Sequence, residues 1–401
     1  MSGVLIVGAG HAAGQAAASL KQEGYEGEIR LLGDEPFIPY QRPPLSKAYL
    51  AGEQPLERVY LRPEKFYADK GIAVETNVRV DAIDAVAQTA TTSSGAVHSY
   101  EHLILATGSR PRILRIDGSD LPGIHYLRTV ADVDAIRSEI GEGKRIVIVG
   151  GGYIGLEVAS VCVSHGMQVH VLEMEDRILK RVTTPHMSAY YHQLHEGRGV
   201  HLHVKTQVSG FSGDGRVQQV HCGDTSFDAD LVIVGIGIIP NVELAEAAGI
   251  ECDNGILVDD HCRTSAAGVW AIGDCTNHPN ATLNRRLRLE SVPNAMDQAR
   301  VTAANICGKD KTYDAVPWFW SDQYELKLQM VGFSTDGDTH VIRGSQEDNQ
   351  FAVFYLKDGQ VVAADAVNSA KEFMVCKQLI GKPVDASLLA DPDYDLKGLL
   401  G

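Results

Sequence analysis

A short apolar run that meets a glycine turn and then a helix-like stretch occurs twice in this sequence, and that repeat limits the possible folds most. The second copy is the clearer one: Lys144-Arg-Ile-Val-Ile-Val-Gly-Gly-Gly-Tyr-Ile-Gly-Leu-Glu157. Gly150, Gly152 and Gly155 fill the three positions of a G-x-G-x-x-G pattern. The first glycine makes a tight turn, the second lets backbone approach a pyrophosphate, and the third lets the helix pack close to the strand. The first copy is Val4-Leu-Ile-Val-Gly-Ala-Gly-His-Ala-Ala-Gly14, with Gly8, Gly10 and Ala13 at the same positions. Two such devices in one chain imply one nucleotide that stays and one that comes and goes.

At 401 residues the chain exceeds a single core, so two or three domains are expected. The formal net charge of −16 argues against a nucleic-acid backbone or an anionic membrane as the main partner. No run of about 18 apolar residues is present, which predicts no membrane span. The first buried strand begins by Val4, which leaves no room for a targeting peptide and predicts a cytoplasmic location. Seven cysteines, at 162, 222, 252, 262, 275, 307 and 376, form no C-x-x-C or C-x4-C pair, so free thiols are expected.

In chain order, Glu28 to Leu32 reads as a second strand, and Asp34 follows where an acidic residue can accept from an adenosine ribose; an ordinary loop aspartate is the alternative. Pro43 and Pro44 predict an extended segment with no helix before Leu45, holding Arg42 and Lys47 toward a ligand or forming a stiff surface loop. Leu103-Ile-Leu-Ala-Thr-Gly108 is a strand whose small exit residues Ala106, Thr107 and Gly108 permit close approach of a flat cofactor. Asp230 to Gly237 mirrors it. Glu173 lies 23 residues past Gly150, where a carboxylate accepts from both ribose hydroxyls of NAD and repels the 2′-phosphate of NADP. Arg177 is a dissenting cation nearby. Thr264 to Asp274 reads as a strand that ends on Gly273-Asp274, with the carboxylate placed for a polyol chain. Past Pro317 the aromatics concentrate, a hairpin is expected around Asp358-Gly359, and Ala370 to Ile380 reads as a helix closed by Gly381. The expected fold is α/β, with two Rossmann-like dinucleotide-binding domains and a small C-terminal α+β domain. The predicted division is 1–111 with 238–316, then 112–237, then 317–401.

These residues resemble the two-dinucleotide flavoproteins with the glutathione-reductase fold. Arg42-Pro-Pro-Leu-Ser-Lys-Ala-Tyr-Leu50, Glu290-Ser-Val-Pro-Asn294 and Trp318-Phe-Trp-Ser-Asp-Gln323 are similar to motifs of the oxygenase-coupled NADH–ferredoxin reductases. The resemblance spans essentially the whole chain. It implies FAD on the first domain, with Ala12, Asp34, Lys47, Val80, Arg128, Asp274 and Val292 among its contacts. It implies NADH on the second, beside Gly152, Ile154, Glu157 and Glu173. Lys47 and Glu157 would meet beside the flavin, across the domain boundary, as positioning and electrostatic groups, and Trp320 would stand near the isoalloxazine on the acceptor side. The redox disulfide of glutathione-reductase-type enzymes is missing, because no cysteine precedes Cys162. The implied acceptor is a small acidic 2Fe-2S ferredoxin on a local basic patch. Arg285, Arg286, Arg288 and Arg300 are the main candidates, with Arg62 and Lys327 in reserve. A signalling flavoprotein and a quinone or radical reductase are the alternatives. His192, His195, His201 and His203 lack the spacing of a metal site, so no metal is expected.

Overall fold

The computed structural model describes residues 3–400; the outermost residues of the predicted domain ranges, 1–2 and 401, lie outside the described residues. The chain divides into two compact units. One holds residues 3–42, 55–110 and 238–317, and the other 43–54, 111–237 and 318–400.

In the first unit, five parallel strands run in the order Ile72–Glu75, Ile29–Leu32, Gly3–Val7, Val97–Leu105, Val269–Ala271. Alternation along Gly3–Val7 feeds two cores, as a strand covered on both faces requires. Val4 and Ile6 meet the helices His11–Gln22 and Val292–Ile306, while Leu5 and Val7 pack with Leu103, Leu105 and Ala245. The two helices join through alanines, with Ala12, Ala13, Ala16 and Ala17 in one core with Ala295, Ala299 and Ala303. Small side chains on both faces let two helix axes come close. Val80–Asp84 and Thr89–Thr92 extend the sheet antiparallel.

The second unit contains another parallel sheet, in the order Val200–His203, Gln168–Leu172, Arg145–Val149, Leu231–Val234, Ile124–Tyr126. It also holds a five-stranded antiparallel sheet, ordered Trp318–Gln323, Leu326–Gly332, Gln360–Val367, Gln350–Lys357, Thr339–Ser345. The two share a core in which Leu156, Ile178, Leu179, Met187 and Tyr191 pack with Leu328, Met330, Phe351, Val353 and Tyr355. The expected hairpin turns on Asp358 and Gly359, both with positive φ (50° and 76°), as a two-residue turn between twisted strands demands. The helix Ala370–Leu379 ends before Gly381, at φ 80°.

Two expectations need correction. Pro43–Ser46 is a 3₁₀ helix, so the prolines do not delay the helical turn to Leu45. A proline ring presets φ for a first helical turn, where the missing N–H has no partner to lose. Of Thr264 to Asp274 only Val269–Ala271 is strand. Ahead of it, the side chain of Thr264 accepts from the backbone N–H of Ala266 and donates to the carbonyl of Val269, which closes a turn. The segment 43–54 also packs within the second unit, apart from its chain neighbours on either side.

Asp365 is buried in the shared core of the second unit, where Thr183 and Tyr355 donate to Oδ2 at 2.6 and 2.9 Å. Burial lifts its carboxyl from the ordinary 3.8 to about 6. The folded state therefore binds this proton more tightly than the unfolded chain does. Its contribution to stability is full below pH 4 and is lost as pH rises to about 6, by roughly 3 kcal/mol. Denaturant unfolding of Asp365→Asn and the parent across pH 4 to 7 should show the parent losing that much relative to the variant. A difference independent of pH would contradict this.

Candidate functional site

The first unit gathers its predicted residues around two helix starts. Gly8 has φ 111°, and a Cβ there would fall 2.2 Å from the carbonyl oxygen of Ala106, so only glycine fits. Gly10 caps the helix His11–Gln22 with no side chain, and a Cβ on it would meet no protein atom within 4 Å. The backbone N–H groups of that first turn are thus open to a ligand. Gly273, at φ 84°, brings Asp274 against the same place, since its Cβ position lies 3.2 Å from Ala12 and 3.9 Å from Ala295. The starts of both helices therefore converge on Gly273-Asp274. Val292 opens the second of them, which Ser291 caps through Asn294 N–H. Gln298 accepts from Gly273 N–H at 2.7 Å and locks the turn. Two helix N-termini aimed at one spot make an anion site.

Around it stand Ala106, Thr107 and Gly108 at the strand exit, with Ser109 donating to Asp274 Oδ2 at 2.9 Å. Arg42 binds Glu35 at 2.9 Å and donates to the Tyr40 hydroxyl. His11 is held near pKa 4, by burial first and then by Arg42. Asp34 is exposed. Val80 joins Val7 and Leu32 in the core beneath the strand ends.

In the second unit the glycine turn repeats the first. Gly150 has φ 111° with its Cβ position 2.4 Å from Gly235 O, and Gly152 faces open space. Gly155 packs so tightly that a Cβ would sit 2.3 Å from Gly150 O. Ile154 is exposed at the helix start. Glu173 Oε2 accepts from Gly151 N–H at 2.8 Å and Oε1 from Glu175 N–H at 2.9 Å. Each oxygen keeps a second lone pair for a hydroxyl. Arg177 is committed to Ser188 and the Lys180 carbonyl, and Lys180 pairs with Glu175 and Asp176. Arg128 also lies here, its N–H donating to Asp132 beside the Thr129 cap.

One helical turn past Gly152, Glu157 is 4% exposed and receives three donors. Ser46 Oγ (2.5 Å) and Lys47 Nζ (2.7 Å) reach Oε2, and Ser321 Oγ (2.6 Å) reaches Oε1. Lys47 and Glu157 thus meet as expected, but within the second unit and not across a domain boundary, because the segment 43–54 packs there. Ser46 and Ser321 were not singled out by sequence reading, although both stand inside motifs it quoted. Trp320 lies on the same strand as Ser321, partly buried against Trp318. All seven cysteines are free thiols.

The basic candidates differ among themselves. Arg286 donates to the carbonyls of Val258 and Asn277, Arg288 pairs with Glu290, and Arg300 pairs with Asp297. Arg285 is exposed. Arg62 bonds Gln15, and Lys327 is exposed. His195 is a core residue, and His203 lies on a strand beside His170.

Residues 2–299 match the model of the pyridine nucleotide-disulphide oxidoreductases, and residues 318–400 match that of the reductase C-terminal domain. This chain belongs to the pyridine nucleotide-disulphide oxidoreductase family. Putidaredoxin reductase of Pseudomonas putida is 45% identical over 99% of this chain and 96% of its own. A ferredoxin–NAD(P)+ reductase of a Sphingomonas species is 43% identical over 99% and 97%. The crystal structure of the covalent putidaredoxin reductase–putidaredoxin complex matches with a TM-score of 0.96 at 44% identity, covering 100% of this chain and 98% of the other. The cofactors of this oxidoreductase are FAD and NAD(H). Its two glycine cradles fit those nucleotides, because each leaves open backbone donors at a helix start beside a carboxylate. No helix among the described residues is long and apolar enough to cross a membrane.

The two cradles should fail separately. Gly8→Ala should yield protein with little bound FAD, read from the flavin absorbance of the purified enzyme. Gly155→Ala should keep its FAD and raise the KM for NADH by ~10-fold or more. Loss of FAD in both variants would show that the two cradles do not hold separate nucleotides.

Proposed function

We propose that this oxidoreductase takes reducing equivalents from NADH and passes them singly to a 2Fe-2S ferredoxin that serves an oxygenase. The meeting of three motifs on one carboxylate carries this reading: Ser46 and Lys47, Glu157, and Ser321 come from the three segments that resemble NADH–ferredoxin reductases and the nucleotide fold. In this reading residues 1–111 and 238–316 hold FAD, 112–237 hold NADH, and 317–401 contribute Trp320 on the acceptor side.

The chemistry that bound FAD supplies is acceptance of a hydride from NADH and release of its two electrons one at a time. The side chains then have to bind, orient and keep water out. Gly8, Gly10, Ala12, Asp274 and Val292 hold the FAD phosphates and polyol chain from two helix starts, with Ala106, Thr107 and Gly108 allowing close approach. Asp34, Arg42 and Val80 serve its nucleotide end. Gly150, Gly152, Ile154 and Gly155 hold the NADH pyrophosphate. Glu173 accepts from the adenosine ribose. Lys47 and Glu157 are positioning and electrostatic groups, since no proton transfer to a side chain is needed at the hydride step.

Glu173 selects NADH because the nearby cations are already engaged. Arg177 and Lys180 are tied to Ser188, Glu175 and Asp176, which leaves a net negative rim that repels a 2′-phosphate. Glu173→Arg should narrow the NADH-over-NADPH ratio of kcat/KM by roughly tenfold or more. Stopped-flow mixing with NADH, then with a 2Fe-2S ferredoxin, tests the function itself. Fast flavin bleaching and fast reoxidation by ferredoxin are expected; a reduced flavin indifferent to ferredoxin but fast with a quinone would overturn it.

The ferredoxin is acidic in this reading and docks on a local basic patch formed by the Arg285–Arg288 cluster, with Arg300 a further candidate. Exposed ion pairs such as Arg300–Asp297 are worth little and exchange partners readily. Arg300→Glu should raise the KM for ferredoxin and flatten its salt dependence while NADH-driven flavin reduction is unchanged. An unaltered salt profile would remove Arg300 from the docking surface.

A further inference from the structure

The strand Trp318–Gln323 has two faces. Side chains alternate along a strand, so Trp318 and Trp320 share one face and Phe319, Ser321 and Gln323 the other. On the second face a hydrogen-bonded series leaves Glu157. Ser321 Oγ lies 2.6 Å from Glu157 Oε1, and Gln323 Nε2 lies 3.1 Å from Ser321 Oγ. His195 Nε2 lies 2.8 Å from Gln323 Oε1, and the Tyr324 hydroxyl lies 3.0 Å from His195 Nδ1. Ser321 and His195 are fully buried at 0% exposure and Gln323 at 1%.

Donor inventory gives the series one direction. Glu157 faces three donors as an acceptor-only carboxylate, so Ser321 spends its single proton on it. Ser321 must then accept, which turns the amide of Gln323 with its NH₂ toward Ser321. The Gln323 oxygen faces His195, so His195 carries its proton on Nε2. Burial keeps this imidazole neutral, with its pKa lowered to about 4, and Nδ1 accepts from Tyr324. Every donor points toward Glu157.

Tyr324 adds an independent sign. It occupies a two-residue turn at φ 56°, a left-handed conformation that favours glycine or asparagine. Retaining a tyrosine there costs about 1 kcal/mol or more of backbone strain. Its ring lies under Arg198, whose guanidinium is 5.0 Å from the ring centre.

We propose that Ser321, Gln323, His195 and Tyr324 are positioning residues for Glu157, a one-way chain of hydrogen bonds that fixes its carboxylate and aims Oε2 at Lys47. The inference rests on the reading of Glu157 as a group that serves hydride transfer. The chain runs within the second unit from the Glu157–Lys47 pair to the Tyr324 turn.

The test is a double-mutant cycle on the FAD-loaded enzyme, with ¹⁵N-histidine NMR as a second readout. Ser321→Ala and the near-isosteric Gln323→Glu should each slow flavin reduction by NADH ~10-fold with little change in NADH affinity. Gln323→Glu turns an inward donor into an acceptor and makes Ser321 choose between two carboxylates. Ser321→Thr should restore the rate. In a Glu157→Gln background the further loss from Ser321→Ala should vanish. NMR should find His195 as the Nε2–H tautomer, its signal assigned by its absence in His195→Gln. If Glu157→Gln is slow but Ser321→Ala and Gln323→Glu match the parent, the hydrogen-bond chain is wrong while the reading of Glu157 stands. An Nδ1–H tautomer refutes the chain in the same way. If Glu157→Gln is itself as fast as the parent, the reading of Glu157 fails and the chain falls with it.

Discussion

A carboxylate buried to 4% exposure has to be surrounded by donors, and the second unit is arranged to satisfy that need at Glu157. Removing a charge from water costs several kcal/mol, and only well-aligned partners offset it. The partners come from far apart in the chain: Ser46 and Lys47 on a short segment, Ser321 on the first strand of the C-terminal sheet. These bonds tie residues 43–54 to the second unit, although the residues on either side belong to the first. Tyr49 adds a second tie by donating to Asp134 at 2.8 Å. The 3₁₀ turn at Pro43–Ser46 places Ser46 and Lys47 side by side on the same carboxylate oxygen.

The two cradles rest on a different constraint, which is steric. At Gly8 and Gly150 the same φ of 111° brings the turn against the exit of a neighbouring strand, leaving no room for a Cβ. At Gly10 and Gly152 the opposite holds, with empty space where a side chain would project. Backbone N–H groups exposed in this way recognise phosphate without any charged side chain, which suits a protein of net charge −16. A carboxylate stands beside each, Asp274 by the first and Glu173 by the second. Glu173 is oriented by two backbone N–H groups, so its geometry does not depend on a ligand.

The nucleotide sheet and the antiparallel C-terminal sheet of the second unit share one apolar core, and polar ties cross it at chosen points. Thr183 and Tyr355 meet on Asp365, and His195 and Gln323 join below Glu157. Buried polar groups of this kind, once satisfied, admit only one arrangement of the surfaces that bear them. The strand Trp318–Gln323 shows the consequence. Its indoles face one way, and Ser321 and Gln323 the other.

Periodicity and turn chemistry made much of this legible in the sequence. The two glycine turns, the strands that lead into them, the Asp358-Gly359 hairpin and the helix before Gly381 follow from local rules about φ, side-chain size and alternation. The acidic residue 23 positions past Gly150 also follows, because its distance is set by one helix and one strand. Ser46, Ser321, Gln323 and His195 carried no such signal. A serine or histidine reads the same in sequence whether it faces water or a buried carboxylate. Prolines 43 and 44 read as extended, since a ring that fixes φ near −65° suits both an extended chain and a first helical turn. Local sequence therefore determined the elements and the cradles. Only the tertiary structure decided which distant hydroxyl, amide and imidazole would close around Glu157, because that depends on packing between segments more than a hundred residues apart.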